Sequence, residues 1–116
     1  MGGGNVILDL SFEFALEVMV YCELLESRKR FVISHQLLKS GTSVGANIRE
    51  AQSAESKQDF IHKLKVAAKE ADETEYWLLL CKHSQSYPSP EQLTEKIITL
   101  KKLLSKIIST SKKSIQ

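Results

Sequence analysis

The sequence predicts an all-α protein, an antiparallel up-down-up-down four-helix bundle. Three observations carry that expectation. Apolar residues recur at helical spacing along most of the 116-residue chain. Turn-forming or basic stretches interrupt them near Ser27–Arg30, Ser53–Ser56 and Ser84–Pro90. The segments between are roughly 18 to 28 residues each, the length of a bundle helix. The length suits one domain spanning 1–116, with 1–8 read as a flexible leader and 111–116 as a frayed tail. With 42% hydrophobic and 26% charged residues, the balance is that of a globular chain and excludes a disordered one.

The first helix is expected to start near Asp9 or Ser11, either of which can cap it, and to end about Ser27. Between Phe14 and Leu25 only Glu17 and Glu23 are polar. A helix apolar on nearly every side buries more than one face. One side covers the core; the other needs a partner, so a homo-oligomer with this helix at the interface is expected.

Ser34 is read as the cap of the second helix, which runs to about Ser53. Leu37, Gly41, Val44, Ile48 and Ala51 fall on one face, with Ser43, Asn47 and Glu50 as a polar stripe beside them. Gly41 and Gly45 each cost a helix interior about 1 kcal/mol against alanine, so close packing has to offset roughly 2 kcal/mol. Gly41, Val44, Gly45, Asn47, Ile48 and Glu50 are therefore expected to form a packing or oligomer seam, with Asn47 and Glu50 bonding to the third helix or to a neighbouring subunit. The Gly-Thr-Ser-Val-Gly run lacks the preceding strand and the Lys-Ser/Thr pair of a nucleotide loop and is set aside on that ground.

Ser56, three residues before Asp59, is a variant capping box opening the third helix, whose inward face reads Phe60, Leu64, Ala67, Ala71, Thr74, Leu78 and Cys81. Asp59–Lys63 and Lys69–Glu73 are expected surface pairs. Ser89, Pro90 and Gln92 supply a cap, a first-turn proline and a capping-box partner for the fourth helix. Leu93, Ile97, Leu100, Leu104 and Ile107 then face inward, while Lys102, Lys106 and Lys113 share the outer face.

Chemistry is sparse. His35, His62 and His83 are scattered, and neither HExxH nor CxxC occurs. The nearest approach to a di-iron motif is a single Asp59-x-x-His62, where Asp59 already serves the cap. No enzyme, cofactor or metal is expected; a small metalloenzyme, which would carry stoichiometric metal, is the remote alternative. Cys22 and Cys81 sit in apolar surroundings and read as buried free thiols. Without a signal peptide or a spanning segment, the protein is expected in the cytoplasm and off the membrane. The amino-terminal Met-Gly-Gly-Gly-Asn-Val departs from a myristoylation signal by its valine.

Net charge is only +2, but charge is segregated. Residues 1–27 carry five acids and no Lys or Arg; residues 77–116 carry seven lysines against Glu91 and Glu95. Opposite signs at the two ends favour contact between them or between subunits. The basic cluster Arg28, Lys29 and Arg30, with Lys39, Lys102 and Lys106, is the candidate surface for RNA. A protein-binding scaffold without nucleic acid is the alternative, since strong nonspecific nucleic-acid binders are usually more basic.

Ser34-x-Gln36-Leu37-x-Lys39-Ser40-x-x-Ser43-Val44-Gly45-Ala46-Asn47-Ile48-x-Glu50-Ala51, with Phe60-x-x-Lys63-Leu64 and Lys69-Glu70-Ala71-x-Glu73-Thr74-Glu75-Tyr76-Trp77-Leu78, resembles the bacterial proteins encoded within intervening sequences of 23S ribosomal RNA genes. Lys39 stands where that family often has arginine, which keeps the charge but not bidentate contact. The resemblance implies a four-helix bundle assembled as a homopentamer. It extends to the accessory variability protein of diversity-generating retroelements, a pentamer whose basic surface binds a reverse transcriptase and nucleic acid. The family name records where the gene lies, so no ribosomal role is implied.

Overall fold

Four runs of helical periodicity become four helices in the computed structural model, which describes residues 5–114: α1 (Val6–Ser27), α2 (Phe31–Ala51), α3 (Lys57–His83) and α4 (Glu91–Lys113). The described part measures 49 × 25 × 22 Å, two helices wide in each short direction. Each helix packs along the next, and α4 returns to α1; among the described residues the α1–α3 and α2–α4 backbones lie across the diagonals, where the Tyr21 side chain of α1 reaches Cys81 of α3. Cross-helix pairs set the directions. Cys22 meets Ser34 while Ser11 meets Gly45, so α1 and α2 run oppositely. Glu17–Lys96 with Tyr21–Pro88 does the same for α1 and α4.

The helix ends differ from expectation in instructive ways. The first helix begins at Val6, because the Asn5 side chain accepts from the Leu8 N–H at 3.3 Å; residues 5–8 are cap and helix, not leader. The remainder of the expected leader, residues 1–4, lies outside the described residues. Ser34 caps nothing: it is buried, its hydroxyl shared between the Cys22 carbonyl at 3.1 Å and the Glu26 carboxylate at 3.2 Å, and α2 starts at Phe31. Ser56 does cap α3, accepting from the Asp59 N–H at 3.0 Å, while Asp59 reaches back to the Glu55 N–H at 3.1 Å. Ser89 does not cap α4; Pro90 occupies that position, with Glu91 placing an acid in the first turn against the positive end of the helix dipole. The fourth helix persists to Lys113 with Ser111 buried, so the expected fray begins later than residue 111; residues 115–116 lie outside the described part.

The core is a stack of fully buried side chains from all four helices, including Phe14, Val18 and Leu25, Leu37 and Ile48, Leu64 and Leu78, and Ile97, Leu100 and Leu104. On α3 the buried row includes Ile61, where Phe60 was expected; Phe60 packs only partly against the core. Ile107 is likewise half-buried. Two polar side chains are buried together: the Thr74 and Ser40 hydroxyls lie 2.9 Å apart across α2 and α3, and Thr74 also reaches the Glu70 carbonyl at 2.7 Å.

The glycine seam joins α2 to α1. A Cβ on Gly41 would stand 3.0 Å from Val18 Cγ1, and one on Gly45 would stand 3.3 Å from the Ser11 carbonyl oxygen. Gly41, Val44 and Ile48 are buried inside the chain, so packing within the bundle is the role the geometry supplies for them. Asn47 does not bond across to α3 as expected: its side-chain amide donates to the Ser43 carbonyl of its own helix at 2.8 Å, a partner one turn back that needs no second helix. Glu50 is exposed.

Cys22 and Cys81 are free and buried. Burial pushes the Cys22 thiol up from 9.0 to about 11, against an opposing hydrogen bond with Ser34 and with Glu26 and Cys81 adding to the rise. Burial also raises Cys81, opposed by Tyr21. The thiolate fraction of native Cys22 at about pH 8 is thus roughly a hundredfold below that of an unburied thiol. Iodoacetamide should label Cys22 at least about a hundredfold faster in urea than in the native protein, and Cys81 faster in urea as well, read by mass spectrometry. Equal rates would contradict this packing.

Candidate nucleic-acid interface

The Arg28–Arg30 turn is first a helix ending. The Arg30 N–H reaches the Leu25 carbonyl and the Lys29 N–H the Glu26 carbonyl, both at 2.9 Å, and Lys29 adopts φ 61°. This pairing is a Schellman motif with lysine in the left-handed position usually given to glycine. Three cations there also face the negative end of the α1 dipole, whose last turn holds no basic residue. Arg30 is further committed: its guanidinium carbon lies 4.9 Å from the centre of the Tyr87 ring, and its Nε is buried with no hydrogen-bond partner among the described residues. Arg28 and Lys29 are exposed and free to meet a ligand.

The six basic residues expected to act together are divided over the molecule. The turn lies at the end where α4 begins, as Tyr21 donating to the Pro88 carbonyl at 2.6 Å demonstrates. Lys102 and Lys106 are exposed on α4, roughly 15 to 25 Å further along the bundle, and Lys39 is exposed on α2, which α4 does not touch. No single patch contains all six.

The structure assembles a different basic cluster. Lys65 and Lys69 are exposed on α3, and the register fixed by Lys101 on Asp72 and Glu75 brings Lys112 of α4 level with Lys65; the Lys112 charge holds the Lys65 pKa below the usual lysine value, with Lys69 adding to the effect. Nearby acids are occupied. Lys101 draws in both Asp72 and Glu75 at 2.8 Å, and Asp59 pairs with Lys63 at 3.4 Å as expected. Glu73 turns away from Lys69 and accepts the Trp77 indole N–H at 3.1 Å instead, a correction to the expected Lys69–Glu73 pair. Sequence reasoning missed Lys65 and Lys112 because they are 47 positions apart; the only signal was their shared outward register on two helices.

The opposite sign collects on α1, where Asp9, Glu13, Glu23 and Glu26 accompany an exposed ridge of Phe12, Leu16, Met19, Val20 and Leu24. An open groove of about 630 Å³ continues this ridge toward the start of α4, lined by Leu16, Val20, Leu24, Pro90 and Leu93. Of the two oppositely charged chain ends, one ion pair among the described residues, Glu17–Lys96, joins them within the bundle. His35, His62 and His83 are all exposed, and among the described residues no three His, Cys, Asp or Glu side chains converge as metal ligands. Among the described residues no helix is long and apolar enough to cross a membrane.

Residues 5–109 match the family described as 23S rRNA-intervening sequence protein. A crystal structure of a protein of unknown function from the S23 ribosomal protein family of Bacteroides thetaiotaomicron VPI-5482 has the same fold, with a TM-score of 0.82 and 46% sequence identity. The likeness covers 89% of this chain and 98% of that one. No curated protein matches.

Proposed function

The chain belongs to the family of 23S rRNA-intervening sequence proteins, and from that premise we propose that it is a non-enzymatic, self-assembling adaptor that associates with RNA in the cytoplasm. The observation that carries the reading is the separation of charge that survives pairing. Beyond the paired Lys63, Lys96 and Lys101, Lys65 and Lys69 of α3 and Lys102, Lys106 and Lys112 of α4 make no ion pair among the described residues, while Asp9, Glu13, Glu23 and Glu26 of α1 stay unpaired there beside an apolar ridge. Such a molecule has one surface for phosphates and another for protein. The ridge favours copies of this chain as that protein, and the resemblance to pentameric relatives supports five of them.

Salt-dependent RNA binding tests the first half. Protein stripped of nucleic acid should bind a labelled RNA with an affinity that falls steeply as salt rises. Replacing Arg28 and Lys29 with alanine, or Lys102 and Lys106, should flatten that dependence on a single strand, by about 0.7 in the logarithmic slope for each phosphate that is no longer neutralised. Binding that is absent, or indifferent to salt, would leave the scaffold reading, in which α1 alone carries the function.

A further inference from the structure

We propose that the outward face of α3, with the adjoining side of α4, is a track for single-stranded nucleic acid, phosphates resting on Lys65, Lys69 and Lys112 and a base stacking on Tyr76. The proposal deepens the RNA-association reading and rests on it. Lys65, Lys69 and Tyr76 are spaced by four and seven residues, which puts them on one side of the helix over roughly 16 Å, and all three are exposed or half-exposed. The antiparallel register that seats Lys101 on Asp72 and Glu75 brings Lys112, about three turns further along α4, level with Lys65, about three turns back along α3, so that Lys65, Lys69 and Lys112 gather like charge that an anion would relieve; of the acids nearby, Asp72 and Glu75 share Lys101 and Glu73 accepts the Trp77 indole.

Tyr76 supplies what the lysines do not. Its side chain is 56% exposed although aromatic, and it is braced edge-on against Trp77, with ring centres 5.3 Å apart and planes at 63°. A braced, exposed ring on the same helix face as such cations is the arrangement on which single strands stack, and a duplex keeps its bases out of reach of such a ring. Leu79 and Leu80 extend the apolar surface beyond it.

Fluorescence anisotropy on the full chain would test the track, using a labelled 20-nucleotide oligouridylate and a duplex RNA of equal length as probes. The single strand should bind more tightly. Lys65→Ala with Lys112→Ala should lower the logarithmic salt slope by about 0.7 for each lysine. Tyr76→Ala should weaken binding about tenfold at unchanged slope, and Tyr76→Phe should stay within about twofold of the parent. Preference for the duplex, or full affinity in Tyr76→Ala, overturns the stacking site. A slope that survives removal of Lys65 and Lys112 but falls with Lys102 and Lys106 overturns this track and leaves RNA association standing. Failure of the unaltered protein to bind either probe overturns both.

Discussion

Gly41→Leu should cost about 3 kcal/mol or more of folding stability, seen as a lower urea midpoint with an unchanged slope. Even a Cβ at this position would stand 3.0 and 3.1 Å from the two methyls of Val18, and Val18 has no exposed surface into which to retreat. Being β-branched and inside a helix, Val18 is also confined to essentially one rotamer. The overlap therefore has to be relieved by moving α1 away from α2, which opens the core along their shared face. Glu50→Leu is the control, since Glu50 lies on the exposed side of the same helix. Should the leucine variant fail to fold, Gly41→Ala serves, combined with Val18→Ala in a double-mutant cycle. The two substitutions should couple by about 1 kcal/mol, because the second removes the methyls that the first strikes. Independent effects would mean that Gly41 does not pack against Val18 and that the close approach of α1 and α2 lies elsewhere.

Leu16→Glu with Val20→Glu should reduce the native mass from that of an assembly to that of a single chain, measured by light scattering on a sizing column. The double variant should keep the helical circular dichroism of the parent. Leu16 and Val20 are 48% and 68% exposed in the single chain, and with Phe12, Met19 and Leu24 they form five large apolar side chains on the solvent side of one helix. A ridge of that kind is unusual on a protein that works alone. Two carboxylates placed at its centre would be buried without partners in any contact that covers it, at a cost of about 2 kcal/mol or more each. An unaltered protein of single-chain mass would defeat the assembly reading, and α1 would then be a core helix with an apolar outer face.

The number of helices, the inward face of α2 and the buried cysteines were legible because each rests on spacing within one segment. The glycines at 41 and 45 announced a close approach, but the approaching partner, Val18 and the backbone at Ser11, belongs to another helix. Serine was the least legible residue. Ser34, Ser56 and Ser89 each precede a helical pattern, yet only Ser56 caps, while Ser34 is buried against Cys22 and Glu26. A hydroxyl satisfied by a cap and one satisfied across a helix pair leave the same mark in the sequence. The basic residues failed for the same reason. Arg30 counted as a free cation until Tyr87, from a loop 57 residues later, came to lie beneath it, and Lys65 drew no notice until Lys112 stood next to it.

The square arrangement, in which α4 closes back onto α1, has a kinetic consequence. Each of the other close backbone approaches joins consecutive helices, whose chain ends are brought together by short loops at little entropic cost. The α1–α4 contact is the sparsest in the bundle and needs the whole chain to be in place before it can form. It should therefore be the last seam to zip during folding and the first to breathe afterwards. Amide hydrogens on the facing sides of α1 and α4 should exchange through openings smaller than global unfolding, with those between α2 and α3 exchanging last. Tyr21 on Pro88 and Glu17 on Lys96 act as the latches of that door.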